Sequence, residues 1–229
     1  LGKRIMKKLN QILAEGVYDP GIFKAFFLAG GPGSGKTFVT RSAFTGTGLK
    51  VVNSDTIFER GLKKASLSLK MPDEEEYFRN IVRQRAKATA GTMLDTYMEG
   101  RLGLVIDATG RDKNIIQRQH AMLTNIGYDC YMIFVNTSLD IAQERNMQRK
   151  RKLQPKAVEA MWNAVQKNIG AFQRLFGGKN FVIVDNNVSV SDSDLFADAT
   201  KRIRGLIKGK PTKPQAVRWI ASELAQRRR

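Results

Sequence analysis

One cysteine and one histidine in 229 residues remove several chemistries at once. Cys130 alone cannot close an intramolecular disulfide, and its place in the apolar run 130–135 reads as a buried thiol of a reducing compartment. His120 alone cannot build a histidine-clustered metal site. No apolar run approaches the roughly 18 residues of a membrane-spanning helix, so the chain is not expected to engage a membrane. No signal-peptide-like apolar segment follows Leu1, and a cytoplasmic setting is the expectation.

Acid is also short: 21 Asp and Glu face 39 Lys and Arg, a formal net charge of +18. The excess is concentrated at residues 1–10, 145–156 and 200–229, and the rest of the chain is close to neutral. Clustered cations of this kind recruit polyanions by counterion release. A nucleic-acid partner is therefore expected at the basic termini and the internal basic segment, with a solubility role for the tails as the alternative.

Residues 2–16 place Ile5, Leu9, Ile12 and Leu13 at helical spacing opposite lysines, which predicts an amphipathic helix. Apolar runs of strand length recur at 22–29, 49–52, 102–106, 130–135 and 181–184, separated by stretches long enough for helices. Strand alternating with helix predicts an α/β fold, a doubly wound and mainly five-stranded parallel sheet flanked by helices. Pro72 and the acidic run 73–76 open a long helix whose apolar face is expected to include Tyr77, Phe78, Ile81 and Val82, then Met93, Leu94, Tyr97 and Met98. Arg79, Arg83 and Lys87 recur every four residues on another face, read as a solvated face, with a phosphodiester contact as the alternative. Residues 208–214 read as a Pro/Lys linker before a short C-terminal helix. The expected division is a domain over 1–207 and a basic extension over 208–229, removable after Gly205 with limited damage to the core.

The strongest signal is Gly30-Gly31-Pro32-Gly33-Ser34-Gly35-Lys36-Thr37, which fits G-x-x-x-x-G-K-[ST] directly after a buried strand and before a helical segment. Its glycines let backbone N–H groups turn toward a polyphosphate. Lys36 would reach the outer phosphates, and the Thr37 hydroxyl would ligate Mg²⁺ carried by ATP. The third strand ends in Asp107, on the metal side, followed by Ala108 where motor ATPases commonly place a water-activating Glu. The second ends in Asn53-Ser54-Asp55, a carboxylate at the sheet edge that could accept a proton from an attacking hydroxyl or cap the next helix. Arg145 and Arg149, four apart, would share one face of a helical lid that closes over transferring phosphates, with a nucleic-acid contact as the rival use.

These residues, with the turn at 106–109 and the sequence from Arg145 through Pro155 to Trp162, resemble the kinase domain of phage polynucleotide kinase and the related zeta-toxin kinases. The likeness spans roughly 22–185. It implies a P-loop kinase fold, ATP and Mg²⁺, and a phage-type source. By the same resemblance Asp55 is the general base, Arg149 with Arg145 the lid arginines, and Thr109 and Arg111 acceptor-side residues. That family's substrate-binding arginine three residues after the base is replaced here by Phe58, with Arg60 close but out of register. The expected activity is transfer of the γ-phosphoryl group to a hydroxyl of a nucleic acid or nucleotide. The alternatives are a nucleotide-sugar kinase and a non-catalytic nucleotide-binding assembly protein.

Overall fold

Five apolar runs become strands: β1 Lys24–Ala29, β2 Lys50–Val52, β3 Leu104–Asp107, β4 Asp129–Asn136 and β5 Phe181–Asp185. The chain is seen as a computed structural model that describes residues 17–19, 21–149, 152–187 and 193–227. The expected helix over 2–16, lid residues Lys150 and Arg151, and Arg228 and Arg229 lie outside the described residues.

All strand pairings are parallel, in the order β2-β3-β1-β4-β5. Between them run α1 Lys36–Phe44, α2 Ser54–Lys64, α3 Glu76–Glu99, α4 Lys113–Asn125, α5 Leu139–Met147 and α6 Pro155–Phe176, followed by α7 Ser193–Lys208 and α8 Pro214–Arg227. This is the doubly wound sheet expected from the alternation. Side chains alternate across it, as strand geometry requires. Phe26, Leu28, Val105 and Ile133 pack toward α1 and α7, whereas Phe27, Leu104, Ile106 and Met132 pack toward α3, α4 and α6. The connections leaving β1 and β4 run in opposite directions, which opens a ligand crevice at their C-terminal ends.

Two expectations about the periphery are corrected. Tyr77 and Phe78 do not join the core; they are 71% and 59% exposed. The buried stripe of α3 is Ala86, Ala90, Leu94 and Met98, in its C-terminal part, of which Leu94 and Met98 belong to the expected face. A helix of 24 residues is about 36 Å long, far longer than the short strands it covers, so its first turns overhang the sheet.

The region beyond Gly205 is not a loose tail. Lys24 stands opposite Asp129 in the β1–β4 register, and the two form a buried ion pair at 2.8 Å. Thr212 adds its backbone N–H at 3.0 Å and its hydroxyl at 2.6 Å to the same carboxylate. Ile207 and Ala216 are buried, and Trp219 meets Phe23 edge-on at 5.5 Å. A buried charge must find its partners within the fold, and the segment after α7 supplies part of that set. Among the described residues no helix is long and apolar enough to cross a membrane.

Candidate active site

Gly33 and Gly35 adopt φ of 76° and 91°, in the left-handed region that side chains avoid. Space forbids a side chain as well: a Cβ on Gly33 would collide with the Ala142 carbonyl oxygen, and one on Gly35 would meet the Asn186 amide. Gly35 caps α1 without a side-chain hydrogen bond, so the first N–H groups of that helix remain directed at the loop. Lys36 folds back over it, donating to the carbonyl oxygens of Gly30 at 2.5 Å and Gly31 at 3.3 Å. The Ser34 hydroxyl is buried with no hydrogen-bond partner among the described residues. Free helix N–H groups, an inward lysine and an orphaned hydroxyl fit a polyphosphate. The exposed Thr37 follows at the start of α1, where its hydroxyl fits a cation carried by that phosphate.

Four charges converge beside this loop. Burial pulls the pKa of Lys36 down, opposed by the nearby Asp107 and Asp55 charges and reinforced by Arg149. Burial pushes the Asp107 carboxyl up; Lys36 opposes this, Asp55 adds to it, and a hydrogen bond from Asn53 opposes it. That bond, from the Asn53 amide to Asp107 Oδ2, is 2.5 Å long. β2 thus reaches the P-loop centre across β3, which separates it from β1.

Asn53, not Asp55, caps α2. Its Oδ1 accepts from the N–H groups of Asp55 at 2.8 Å and Thr56 at 3.0 Å. The cap alternative for Asp55 is therefore corrected: a residue already inside the first turn cannot fill that position. The freed Asp55 carboxylate accepts from Arg83 Nη1 at 2.7 Å, and the Arg83 guanidinium lies 3.5 Å over the Phe58 ring. Arg83 accordingly does not belong to a merely solvated face. Thr109 and Arg111 are exposed at the end of β3, on the same side of the P-loop as β2. The Thr109 carbonyl receives the Gly30 N–H at 3.1 Å, tying that loop to the P-loop.

Arg145 and Arg149 do not share a helical face, because α5 ends at Met147 and Arg149 lies in the turn beyond it. Both still approach the P-loop. Arg145 donates to the Gly33 carbonyl and to Asn186 Oδ1, each at 3.5 Å, and Arg149 acts electrostatically on Lys36. Buried Asn146 joins the end of α5 to Leu153: its side chain donates to the Leu153 carbonyl at 2.8 Å and accepts its N–H at 3.0 Å.

Sequence reasoning assigned no role to Asn53, Asn146 or Asn186, and read Arg83 only as part of a solvated face or a phosphodiester contact. Asn53 had a legible signal, an Asn immediately before a helical segment. Asn186 had none: from the end of β5 its amide donates 2.7 Å to the Ser34 carbonyl, 152 residues away.

Residues 26–175 match the model of the AAA_33 family, described as an AAA domain. Among curated proteins none matches the sequence. Solved structures share the fold at low identity. A protein of Chloroflexus aurantiacus J-10-fl assigned as a kinase has 15% identity and a TM-score of 0.55, covering 81% of this chain and 96% of its own. A gluconokinase of Sinorhizobium meliloti 1021 has 14% identity and a TM-score of 0.51, covering 81% and 94%. A chain of the Pnkp1/Rnl/Hen1 RNA repair complex has 20% identity and a TM-score of 0.51, covering 65% of this chain and 46% of that one. With the family model matching well over half of its length, this chain belongs to the AAA_33 family.

Proposed function

We propose that the protein is an ATP-dependent kinase that phosphorylates a hydroxyl group of a nucleic acid or nucleotide. The observation that carries this reading is the placement of Asp55. It lies within electrostatic reach of Lys36 and Asp107, yet its side chain is 51% exposed and held by Arg83 at the mouth of the site. A carboxylate so placed is accessible to an incoming hydroxyl. No Glu follows Asp107 to activate water, and the next residue is Ala108.

ATP, with Mg²⁺, supplies the phosphoryl group and draws charge from its oxygens when bound. Lys36 and the N–H groups of the loop would hold the phosphates, and Thr37 and Asp107 would hold the cation. Asp55 takes the proton of the acceptor hydroxyl as its oxygen bonds to the γ-phosphorus and the bond to ADP breaks. Arg149, with Arg145 beside it, stabilises the charge on the transferring group. Arg83 stands where an anionic group of the acceptor would lie, beside the base, and favours a phosphorylated acceptor.

The test is transfer of label from γ-labelled ATP to a panel of oligonucleotides, mononucleotides, nucleosides and nucleotide-sugars. A nucleic acid or nucleotide is expected to be labelled, and Lys36→Ala to abolish labelling with the fold intact. Labelling of nucleotide-sugars alone would replace this acceptor class. Slow hydrolysis with every acceptor would overturn the kinase reading.

A further inference from the structure

Outside the P-loop centre, the outer faces of α2 and α3 enclose a groove of about 530 Å³. Its floor is apolar, with Ile57, Gly61 and Val82, and its rims carry Arg60, Lys64 and Arg85; no acidic side chain lines it. Gly61 makes the floor by close approach, since a Cβ there would stand 2.6 Å from Val82 Cγ1. Arg60 and Lys64 are one helical turn apart on the same face. Arg85 faces them from α3, and none of the three has an acidic partner among the described residues.

An exposed aromatic pair stands one turn of α3 before Val82. Phe78 precedes Val82 by one turn on the same face of α3. It is 59% exposed and meets Tyr77, which is 71% exposed, edge-on at 5.3 Å. Two large aromatic side chains held in contact with each other and bare to solvent are costly to leave uncovered. Cations along an apolar groove with aromatic rings at one end match a strand that has phosphates on its outside and flat bases within.

We infer that the α2–α3 groove is the track of a single-stranded nucleic acid. Its phosphates lie on Arg60, Lys64 and Arg85, its bases stack on Tyr77 and Phe78, and its terminal hydroxyl is the acceptor. The last point rests on the kinase reading above. Proximity along α2 favours it: Asp55 stands in the first turn of α2 on the face turned away from the groove, so a strand leaving the groove at that end of the helix passes round its N-terminus to reach Asp55. An acidic amphipathic helix of a partner protein is the rival occupant, and it has no reason to lead to Asp55.

The experiment measures binding of a fluorescein-labelled single-stranded oligonucleotide by anisotropy across salt concentrations, with the full chain. It also measures phosphoryl transfer to that oligonucleotide and to a mononucleotide. The triple variant Arg60→Ala, Lys64→Ala, Arg85→Ala replaces only exposed side chains. It is expected to reduce the slope of log K against log [salt] by about 2, at roughly 0.7 per phosphate contact. It should also raise KM for the oligonucleotide while leaving turnover of the mononucleotide unchanged. The double variant Tyr77→Ala, Phe78→Ala is expected to weaken oligonucleotide binding by about 5- to 150-fold with little change in slope. Parent-like affinity and slope in both variants would overturn the track, as would an acidic helical peptide that loses affinity in them when the oligonucleotide does not. Lost oligonucleotide binding in the variants, with no transfer by the parent to any hydroxyl, would keep the track and overturn the kinase reading instead.

Discussion

The guanidinium of Arg83 lies 3.5 Å over the ring of Phe58 while one of its nitrogens donates to Asp55 at 2.7 Å. The ring fixes the plane of the cation and the carboxylate fixes its rotation, so the remaining N–H groups have a set direction. Among the described residues those groups have no protein partner. A planar cation held from two sides is suited to a bidentate anion such as a phosphate.

If Arg83 reads an anionic group on the acceptor, Arg83→Ala should raise KM by about tenfold or more for a phosphorylated acceptor, and much less for a neutral one. Arg83→Lys keeps the charge without the stack or the fork and should recover only part of the loss. Steady-state kinetics with a nucleoside and its monophosphate make the comparison. Equal losses with both acceptors would show that Arg83 serves only to hold Asp55.

Asp55→Asn keeps the shape of the side chain and removes the proton acceptor. Expected is a loss of roughly 10²–10⁴ in kcat with ATP affinity nearly unchanged. Because Asn53 and not Asp55 caps α2, the thermal midpoint should move little. A kcat within a few-fold of the parent excludes Asp55 as the base.

Arg149 lies in a turn whose shape depends on Asn146 and Leu153. Arg149→Lys should lower kcat if the planar fork meets phosphoryl oxygens in the transition state, and should hardly matter if a diffuse positive charge suffices. Asn146→Ala should lower kcat by releasing the turn while leaving the cations in place. Parent-like turnover in both variants would remove the lid from the mechanism.

The parts legible from sequence were those whose signal is local. Runs of apolar residues gave the five strands because a strand buried on both faces has to be apolar throughout, and the glycine-lysine loop announced itself by spacing alone. What escaped depended on partners far along the chain. Arg83 looked like any charge on a helix surface, since its meaning lies in Asp55 and Phe58 on a different helix. Tyr77 and Phe78 fitted an apolar periodicity that held, yet the helix outran the sheet that would have covered them. Lys24 looked like an interruption of β1 until the register placed Asp129 opposite it.

Asn53 offers a test by pH. In the proposed mechanism Asp107 would hold the cation only when ionised, and burial raises its pKa, with the Asn53 amide acting to lower it. In the free enzyme, activity should therefore fall as pH drops through that raised value. Asn53→Ser keeps a helix cap and loses the amide donor, so the acid limb of kcat/KM should move to higher pH with little change in stability. Asn53→Ala should show the same shift and also cost about 1 kcal/mol of stability through the lost cap. For stability the sign is the reverse. A carboxyl whose folded pKa is raised binds its proton more tightly in the fold, so its contribution falls as pH rises through the carboxylate range. An acid limb that stays in place in Asn53→Ser would separate Asp107 from the limiting ionisation.

Cutting the chain after Gly205 should destabilise the whole domain instead of merely removing charge. The cut takes away Ile207 and Ala216, whose burial contributes about 2–4 kcal/mol, and removes Trp219 from Phe23. It also strips Thr212 from Asp129, leaving the Lys24 ion pair open to water and short of donors. For a domain of this size a fall in Tm on the order of 10 °C is expected. A fall of that size would disqualify truncation as a measure of nucleic-acid binding by the tail, because weaker binding would then follow from unfolding. Charge-neutralising changes at exposed positions of α7 and α8, such as Lys201 and Arg218, avoid that confusion. They should leave Tm within a few degrees of the parent and flatten the salt slope only if the C-terminal helices touch phosphates. A truncated chain that melts with the parent would show that the contacts made by residues 206–227 contribute nothing measurable to the fold.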